Sequence, residues 1–218
     1  MVNPSYSCPV GGLWYPKARQ YPKLLSTRGK YDHGFPRGAV VHYTAGGWDN
    51  PQGVLLWALQ KGYTYLSIGG AGDVWQAHPL DAWGYHAKAA KWPGVRSVPR
   101  ELVGIEICCP GRLKRDGNGL YWTEYGVEID PDDVRYVAAG YNVLEPGYYA
   151  KYTPEQEQAL TELLLWMHRA APDIFSLDLV VGHDEVCPGR KTDPGGSLSM
   201  TMPHYRVHLK SLAAGSGP

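Results

Sequence analysis

Three side chains of this 218-residue sequence could together hold a metal ion: His42, His183 and Asp193. His42 sits near the end of Gly38-Ala39-Val40-Val41-His42-Tyr43-Thr44, a β-branched and aromatic run closed by Ala45-Gly46-Gly47. That pattern reads as a buried strand entering a turn. A lone histidine there is more often a hydrogen-bonded core residue than a ligand. His183 shifts the balance, because it follows a second apolar run, Leu177–Val181, in the same way. Asp193 comes ten residues later, within Pro188-Gly189-Arg190-Lys191-Thr192-Asp193-Pro194-Gly195. Two prolines and two glycines make that segment a stiff loop, able to return its carboxylate toward the strand it left. Two imidazoles and a carboxylate suit zinc and leave a fourth position for water. Such an ion lowers the pKa of its water from 15.7 to about 7, giving a nucleophile near neutral pH. Cys187, four residues after His183, could also ligate. No H-E-x-x-H pair occurs, so the helical metalloprotease layout does not apply.

The elements that would position these residues alternate between strand and helix. After the Gly38–Thr44 strand, Asn50-Pro51 opens a helix over 52–61, with an apolar stripe of Val54, Leu55, Ala58 and Leu59 and a stop at Gly62. Tyr63–Ile68 and Asp73–Ala77, joined by Gly69-Gly70-Ala71-Gly72, read as a hairpin. Leu102–Cys109 is a buried strand whose one charged residue is Glu106. Thr153-Pro154-Glu155-Gln156 is a helix start with Thr as N-cap and Gln three residues on, and the spacing predicts a helix over 154–171. Leu177–Val181 is a further strand, and a last helix covers 203–213 before the 215–218 tail. This order indicates one α/β or α+β domain over 38–214. Residues 1–37 read as an irregular leader packed on its surface, and 110–150 as a long loop insertion of the kind that often forms a lid.

Composition narrows the function. Lys plus Arg equals Asp plus Glu at 21 each, so no net field favours nucleic acid or an anionic membrane. The 8 Trp and 16 Tyr against 2 Phe suit either a core or a groove that stacks on sugars and peptides. Cys8, Cys108, Cys109 and Cys187 contain no C-x-x-C pair, which argues against a disulfide framework. Met1 to Pro9 lacks the charged start and apolar run of a secretory signal, and no stretch reaches the roughly 18 apolar residues of a membrane span. The expectation is a soluble monomer made in the cytoplasm, without membrane insertion, that leaves the cell by another route if it leaves.

Val40-Val41-His42-Tyr43-Thr44-Ala45-Gly46, Val103-Gly104-Ile105-Glu106-Ile107 and Gly182-His183-Asp184-Glu185-Val186-Cys187-Pro188-Gly189-Arg190-Lys191-Thr192-Asp193-Pro194-Gly195 resemble the type 2 N-acetylmuramoyl-L-alanine amidases. The similarity runs from about 38 to 196. The resemblance implies a central mixed sheet flanked by helices, and one zinc ion per chain held by His42, His183 and Asp193. It further implies that Glu106 activates water and that Lys191 stabilises the oxyanion. The chemistry agrees. A carboxylate facing inward from an apolar strand is costly without a partner or a purpose, and burial raises its pKa toward the range of a general base. Taken without the resemblance, Glu106 would be a buried ion pair and Lys191 a solvated loop charge. His86, with Tyr65 and Trp83, falls where the family meets substrate. Thr64 stands where several relatives carry a tyrosine near the attacking water, which puts that auxiliary role in doubt and leaves more to Glu106.

The reaction so implied is hydrolysis of the amide between N-acetylmuramic acid and L-alanine, with peptidoglycan or muropeptides as partner. Wall lysis in the manner of a phage endolysin is the favoured setting, acting after release from the cytoplasm. A cytosolic amidase that recycles anhydromuropeptides is the alternative. A non-catalytic peptidoglycan-binding module and a cysteine hydrolase built on Cys187 or Cys108 are rivals of other classes.

Overall fold

The computed structural model describes residues 13–21, 28–139 and 145–215. Cys8 and the 216–218 tail lie outside the described residues, as do parts of the expected leader and of the 110–150 segment. In chain order the elements are β1 (Arg19–Gln20), β2 (Gly38–Tyr43), α1 (Pro51–Lys61), β3 (Leu66–Ile68), β4 (Val74–Gln76), α2 (Val98–Glu101) and β5 (Leu102–Ile107). There follow β6 (Arg112–Arg115), β7 (Tyr121–Trp122), β8 (Glu128–Ile129), β9 (Val134–Val137) and β10 (Gly147–Ala150). The chain closes with α3 (Pro154–Ala170), β11 (Val180–Gly182), α4 (His183–Val186) and α5 (Met202–Gly215).

The main sheet has six strands in the order β1-β4-β3-β5-β2-β11. β11, β2, β5 and β3 run parallel, and β4 lies antiparallel to β3, so the sheet is mixed. Parallel strands are covered on both faces, which is why their sequences are almost uninterruptedly apolar. Period-two alternation then sorts the side chains. Ala39, Val41, Val103, Ile105, Ile107, Leu66 and Ile68 enter the main core with Leu160, Leu163, Leu164 and Met167 of α3. Val40 and Leu102 face the other way, into a smaller cluster with Ala87, Val98, Val181, Val186 and Cys187. His42, Gly104 and Glu106 have the parity of Val40 and Leu102, so the functional side chains leave the sheet on the face opposite α3.

α3 begins as its sequence predicts: the Thr153 hydroxyl accepts from the Gln156 N–H, and the Gln156 side chain accepts from the Thr153 N–H. Such a box is worth about 1 kcal/mol. The Gln156 amide also donates to the Cys108 carbonyl at 2.7 Å, tying the helix start to the end of β5.

Three regions differ from the sequence reading. The segment expected as a long loop folds into a second, five-stranded sheet in the order β8-β7-β6-β10-β9. Its strands are only two to four residues long, too short for periodicity to show. The leader is more than a surface wrapping, because β1 extends the main sheet beside β4 and Tyr15, Tyr31 and Phe35 are buried in the core. The Leu177–Val181 run starts as a 3-10 turn over Leu177–Leu179, and β11 occupies only Val180–Gly182.

Candidate metal centre

β2, β5 and β11 deliver the site. His42 is the fifth residue of β2 and stands in register with Glu106 on β5. β11 pairs with the other edge of β2, Gly182 opposite Val41, so the next residue, His183, emerges beside His42. The carboxyl ends of parallel strands are where open α/β sheets place their ligands. Glu185 fixes the turn at His183: its carboxylate accepts from the Gly182 N–H at 2.9 Å and pairs with both Nη atoms of Arg206 from α5, at 2.8 and 2.9 Å.

The loop carrying Asp193 is held from several sides. Asp184 N–H donates to the Asp193 carbonyl at 2.7 Å, and Lys191 N–H to the Cys187 carbonyl at 3.1 Å. The hydroxyls of Tyr43 and Thr192 share a hydrogen bond of 2.5 Å. Arg135, from β9 of the second sheet, donates from Nη1 to the carbonyls of Gly196, Ser197 and Leu198 at 2.7, 3.2 and 2.7 Å. Gly195 has φ +52°, and a Cβ there would lie 2.5 Å from the Tyr149 ring, so glycine is required.

These supports bring three ligand atoms to one point. His42 Nδ1 lies 2.9 Å from His183 Nδ1 and 2.8 Å from Asp193 Oδ2, and His183 Nδ1 lies 2.9 Å from the same oxygen. All three residues are buried, at 2%, 4% and 6% exposure. Among the described residues this is the one group of three or more His, Cys, Asp and Glu side chains able to hold a metal. Burial would raise the Asp193 carboxyl, yet its hydrogen bonds to both imidazoles hold it well below the usual carboxylate range. His183 is pushed down to about 4, chiefly by burial, and is a neutral lone-pair donor at pH 7. Its Nε2 is buried without a partner, so its capacity is directed through Nδ1 at the shared point. Burial lowers the His42 imidazole, but its hydrogen bond to Asp193 and the charges of Glu106 and Asp193 leave it raised above its ordinary value. Two imidazole nitrogens and an ionised oxygen thus converge on one point. Zinc, with bonds of about 2.0–2.2 Å to such donors, fits that set.

Glu106 stands beside this triangle with its carboxyl pushed up to about 7 by burial, while His42 and Lys191 pull it down and Asp193 pushes it up. No hydrogen bond or ion pair among the described residues occupies that carboxylate, so the ion-pair alternative finds no partner. Lys191 is half-buried on the ligand loop. Its charge acts against protonation of Glu106, His42 and His183 as the smallest of the influences on each, so it lies within Coulombic reach of the centre.

The other candidate residues are distributed differently. His86 touches the centre from behind: its Nδ1 lies 3.0 Å from His42 Nε2, and its Nε2 2.9 Å from the Leu102 carbonyl. Tyr65 is buried edge-on to His78, with its hydroxyl accepting from the Arg28 N–H at 3.3 Å. Trp83 is half-buried beneath the Arg100 guanidinium, 5.5 Å from its ring centroid. Thr64 donates to the Gly104 carbonyl at 2.5 Å. Cys187 lies outside the triangle, with Arg190 Nη2 at 2.7 Å from its sulfur. Cys108 and Cys109 are pushed up to about 12 by burial and are unreactive thiols at neutral pH. Arg135, Tyr149 and Arg206 were missed by sequence reasoning, since nothing local marks a distant arginine as the anchor of a loop.

A family model described as N-acetylmuramoyl-L-alanine amidase matches residues 32–196. The chain is 27% identical over 184 residues to N-acetylmuramoyl-L-alanine amidase AmiD of Escherichia coli (strain K12), covering 78% of this chain. It spans about half the length of that relative, 54%. A structure of AmiD from E. coli in complex with the substrate anhydro-N-acetylmuramic acid-L-Ala-D-gamma-Glu-L-Lys shares the fold, with a TM-score of 0.54, 21% identity and coverage of 85% of this chain and 62% of that one. The crystal structure of AmpD does so with a TM-score of 0.56, 20% identity and coverage of 89% and 95%. The endolysin N-acetylmuramoyl-L-alanine amidase LysCS from Clostridium intestinale URNW has a TM-score of 0.54, 18% identity and coverage of 91% and 99%.

Proposed function

Because the chain belongs to the N-acetylmuramoyl-L-alanine amidase family, we propose that it hydrolyses the amide joining N-acetylmuramic acid to the L-alanine of the peptidoglycan stem, using one zinc ion per chain. The observation that carries this reading is the convergence of His42 Nδ1, His183 Nδ1 and Asp193 Oδ2 within 2.9 Å of one another, beside an unpaired Glu106. The muropeptide bound to AmiD supports the substrate class.

A zinc ion held there supplies Lewis acidity and a lowered water pKa. The chain's own residues do the rest. Glu106, with a carboxyl near pH 7 in its proton affinity, accepts a proton from the attacking water and returns it to the alanine nitrogen as the C–N bond breaks. The products are a carboxylate on the sugar's lactyl arm and a free peptide amine. Lys191 places its positive charge where the carbonyl oxygen becomes negative. Each chain contains all three ligands, so a monomer suffices.

We place this activity in wall lysis after release from the cell. The supporting feature is the second sheet, where Tyr121 and Tyr136 each pack against Tyr148, at 5.0 and 5.2 Å between ring centroids. An aromatic row of this kind suits a polymeric glycan substrate. The test is to digest intact sacculi and soluble anhydromuropeptides in parallel and identify products by mass spectrometry. Free stem peptides from sacculi support the whole reading. Faster turnover of the soluble fragment moves the protein to a recycling role, and retention of uncleaved muropeptide by zinc-loaded protein makes it a binding module.

A further inference from the structure

His42 is held on both sides of its ring, and the second contact decides which nitrogen can bind a metal. A carbonyl oxygen only accepts hydrogen bonds, so the 2.9 Å contact between His86 Nε2 and the Leu102 carbonyl puts a proton on His86 Nε2. Among the described residues no carboxylate hydrogen-bonds to His86, and in an uncharged imidazole the other nitrogen is a bare acceptor. That nitrogen, Nδ1, lies 3.0 Å from His42 Nε2, so His42 donates from Nε2. With Nε2 donating to His86, the nitrogen that His42 turns toward the point shared with His183 and Asp193 is Nδ1, whose lone pair serves a metal once the hydrogen bond to Asp193 is given up. A main-chain carbonyl at the start of β5 thereby sets, through two rings, the tautomer of a ligand on β2.

We propose that His86 is the positioning residue of the metal centre, fixing the tautomer and ring plane of His42; the inference rests on the metal-site reading above. The two rings meet nearly edge to face, with centroids 5.2 Å apart and planes at 80°, so the hydrogen bond restrains rotation as well as protonation. The main chain is shaped to receive this ring. A Cβ on Gly104 would lie 2.5 Å from His86 Cγ and 2.9 Å from its Cβ and Cδ2, so only glycine lets His86 lie against β5. The glycine two residues before Glu106 thus has a role of its own. It lets the base and the orienter of a ligand share one strand face.

Partners of this kind typically contribute 10- to 100-fold in metal affinity. His86→Ala is therefore expected to weaken zinc binding by about that factor, measured by competition with a chelator. His86→Gln, whose side-chain carbonyl can accept from His42 Nε2–H, is expected to recover part of the loss. Gly104→Ala is expected to mimic His86→Ala, and the double variant to be no worse than either alone. A histidine that served only substrate would raise KM and leave zinc affinity unchanged, and that result overturns the proposal. Nitrogen-15 NMR of the histidine rings tests it without any substitution. His42 and His86 should both carry their protons on Nε2, in the metal-free and in the zinc-loaded protein. A proton on His86 Nδ1 contradicts the proposal even if zinc binds. Wild-type protein that takes up no zinc, with the protons placed as stated, counts against the metal centre and not against the His86–His42 relation.

Discussion

His42 and Glu106 are cross-strand neighbours, aligned in register on the adjacent parallel strands β2 and β5 and directed to the same face of the sheet. A ligand and a base so placed cannot drift apart without breaking the sheet. Their functions should nevertheless separate under mutation, because in the proposed mechanism one residue holds the ion and the other only faces it.

Glu106→Gln keeps the shape and removes the proton acceptor. Zinc content should stay near one per chain while kcat falls about 10²- to 10⁴-fold. A fully active, zinc-loaded variant would remove Glu106 from the mechanism.

Asp193→Ala deletes the one anionic member of the proposed ligand set. Most of the bound zinc should be lost after dialysis, with the circular-dichroism spectrum unchanged because the sheet and α3 do not depend on that carboxylate. Zinc retained at wild-type affinity would mean that the ion sits elsewhere.

Lys191→Ala should lower kcat by about 10²- to 10³-fold, the usual effect of losing an oxyanion partner. KM should change little, since that contact strengthens only as charge develops on the oxygen. A rise in KM with kcat preserved would mark Lys191 as a ground-state binding residue.

Arg135→Leu tests whether the second sheet supports the catalytic loop. Removing the Arg135 donors leaves the carbonyls of Gly196 and Leu198 without that partner, while the Ser197 carbonyl keeps the Tyr152 N–H, at a cost of about 1–3 kcal/mol. Thermal denaturation should detect the loss, and zinc affinity should fall with it. Lower stability with unchanged zinc affinity would show that the loop holds its shape alone.

Glu101 gives the protein a pH dependence distant from the metal. Burial raises its carboxyl, but N–H donors from Ser97 and Arg96 and the Arg37 side chain outweigh it, leaving it below the ordinary value of 4.5. A lowered folded-state pKa means stability that is present above pH 4.5 and is lost as pH falls through the folded value. The melting-temperature gap between wild type and Glu101→Gln should thus be widest near neutrality and shrink below pH 4.5. A gap that stays constant into acid would refute the assignment.

Much of this was legible before any coordinates. His42 and His183 stood out because each ends or follows an apolar strand, where a polar side chain needs a reason; Glu106 and Lys191 took their roles from the family resemblance, since alone they read as a buried ion pair and a solvated charge. α3 could be read because Thr153, Pro154 and Gln156 form a start signal within four residues. The second sheet was read as a loop because strands such as Tyr121–Trp122 are stabilised by their neighbours and leave no periodic trace. Arg135 and Tyr149 act on the Asp193 loop and Arg206 on the turn at His183, all across long sequence separations, and only the fold reveals them. His86 could be placed near the cleft, but its direction toward the back of His42 depends on the absence of a side chain at Gly104, a relation between two strands and a loop.

The most direct test of the metal centre is X-ray absorption at the zinc edge of the zinc-loaded protein. One ion per chain should show only nitrogen and oxygen neighbours at about 2.0–2.2 Å, two of them imidazoles. A sulfur neighbour at about 2.3 Å would bring Cys187 into the site and contradict the assignment of Asp193 as third ligand.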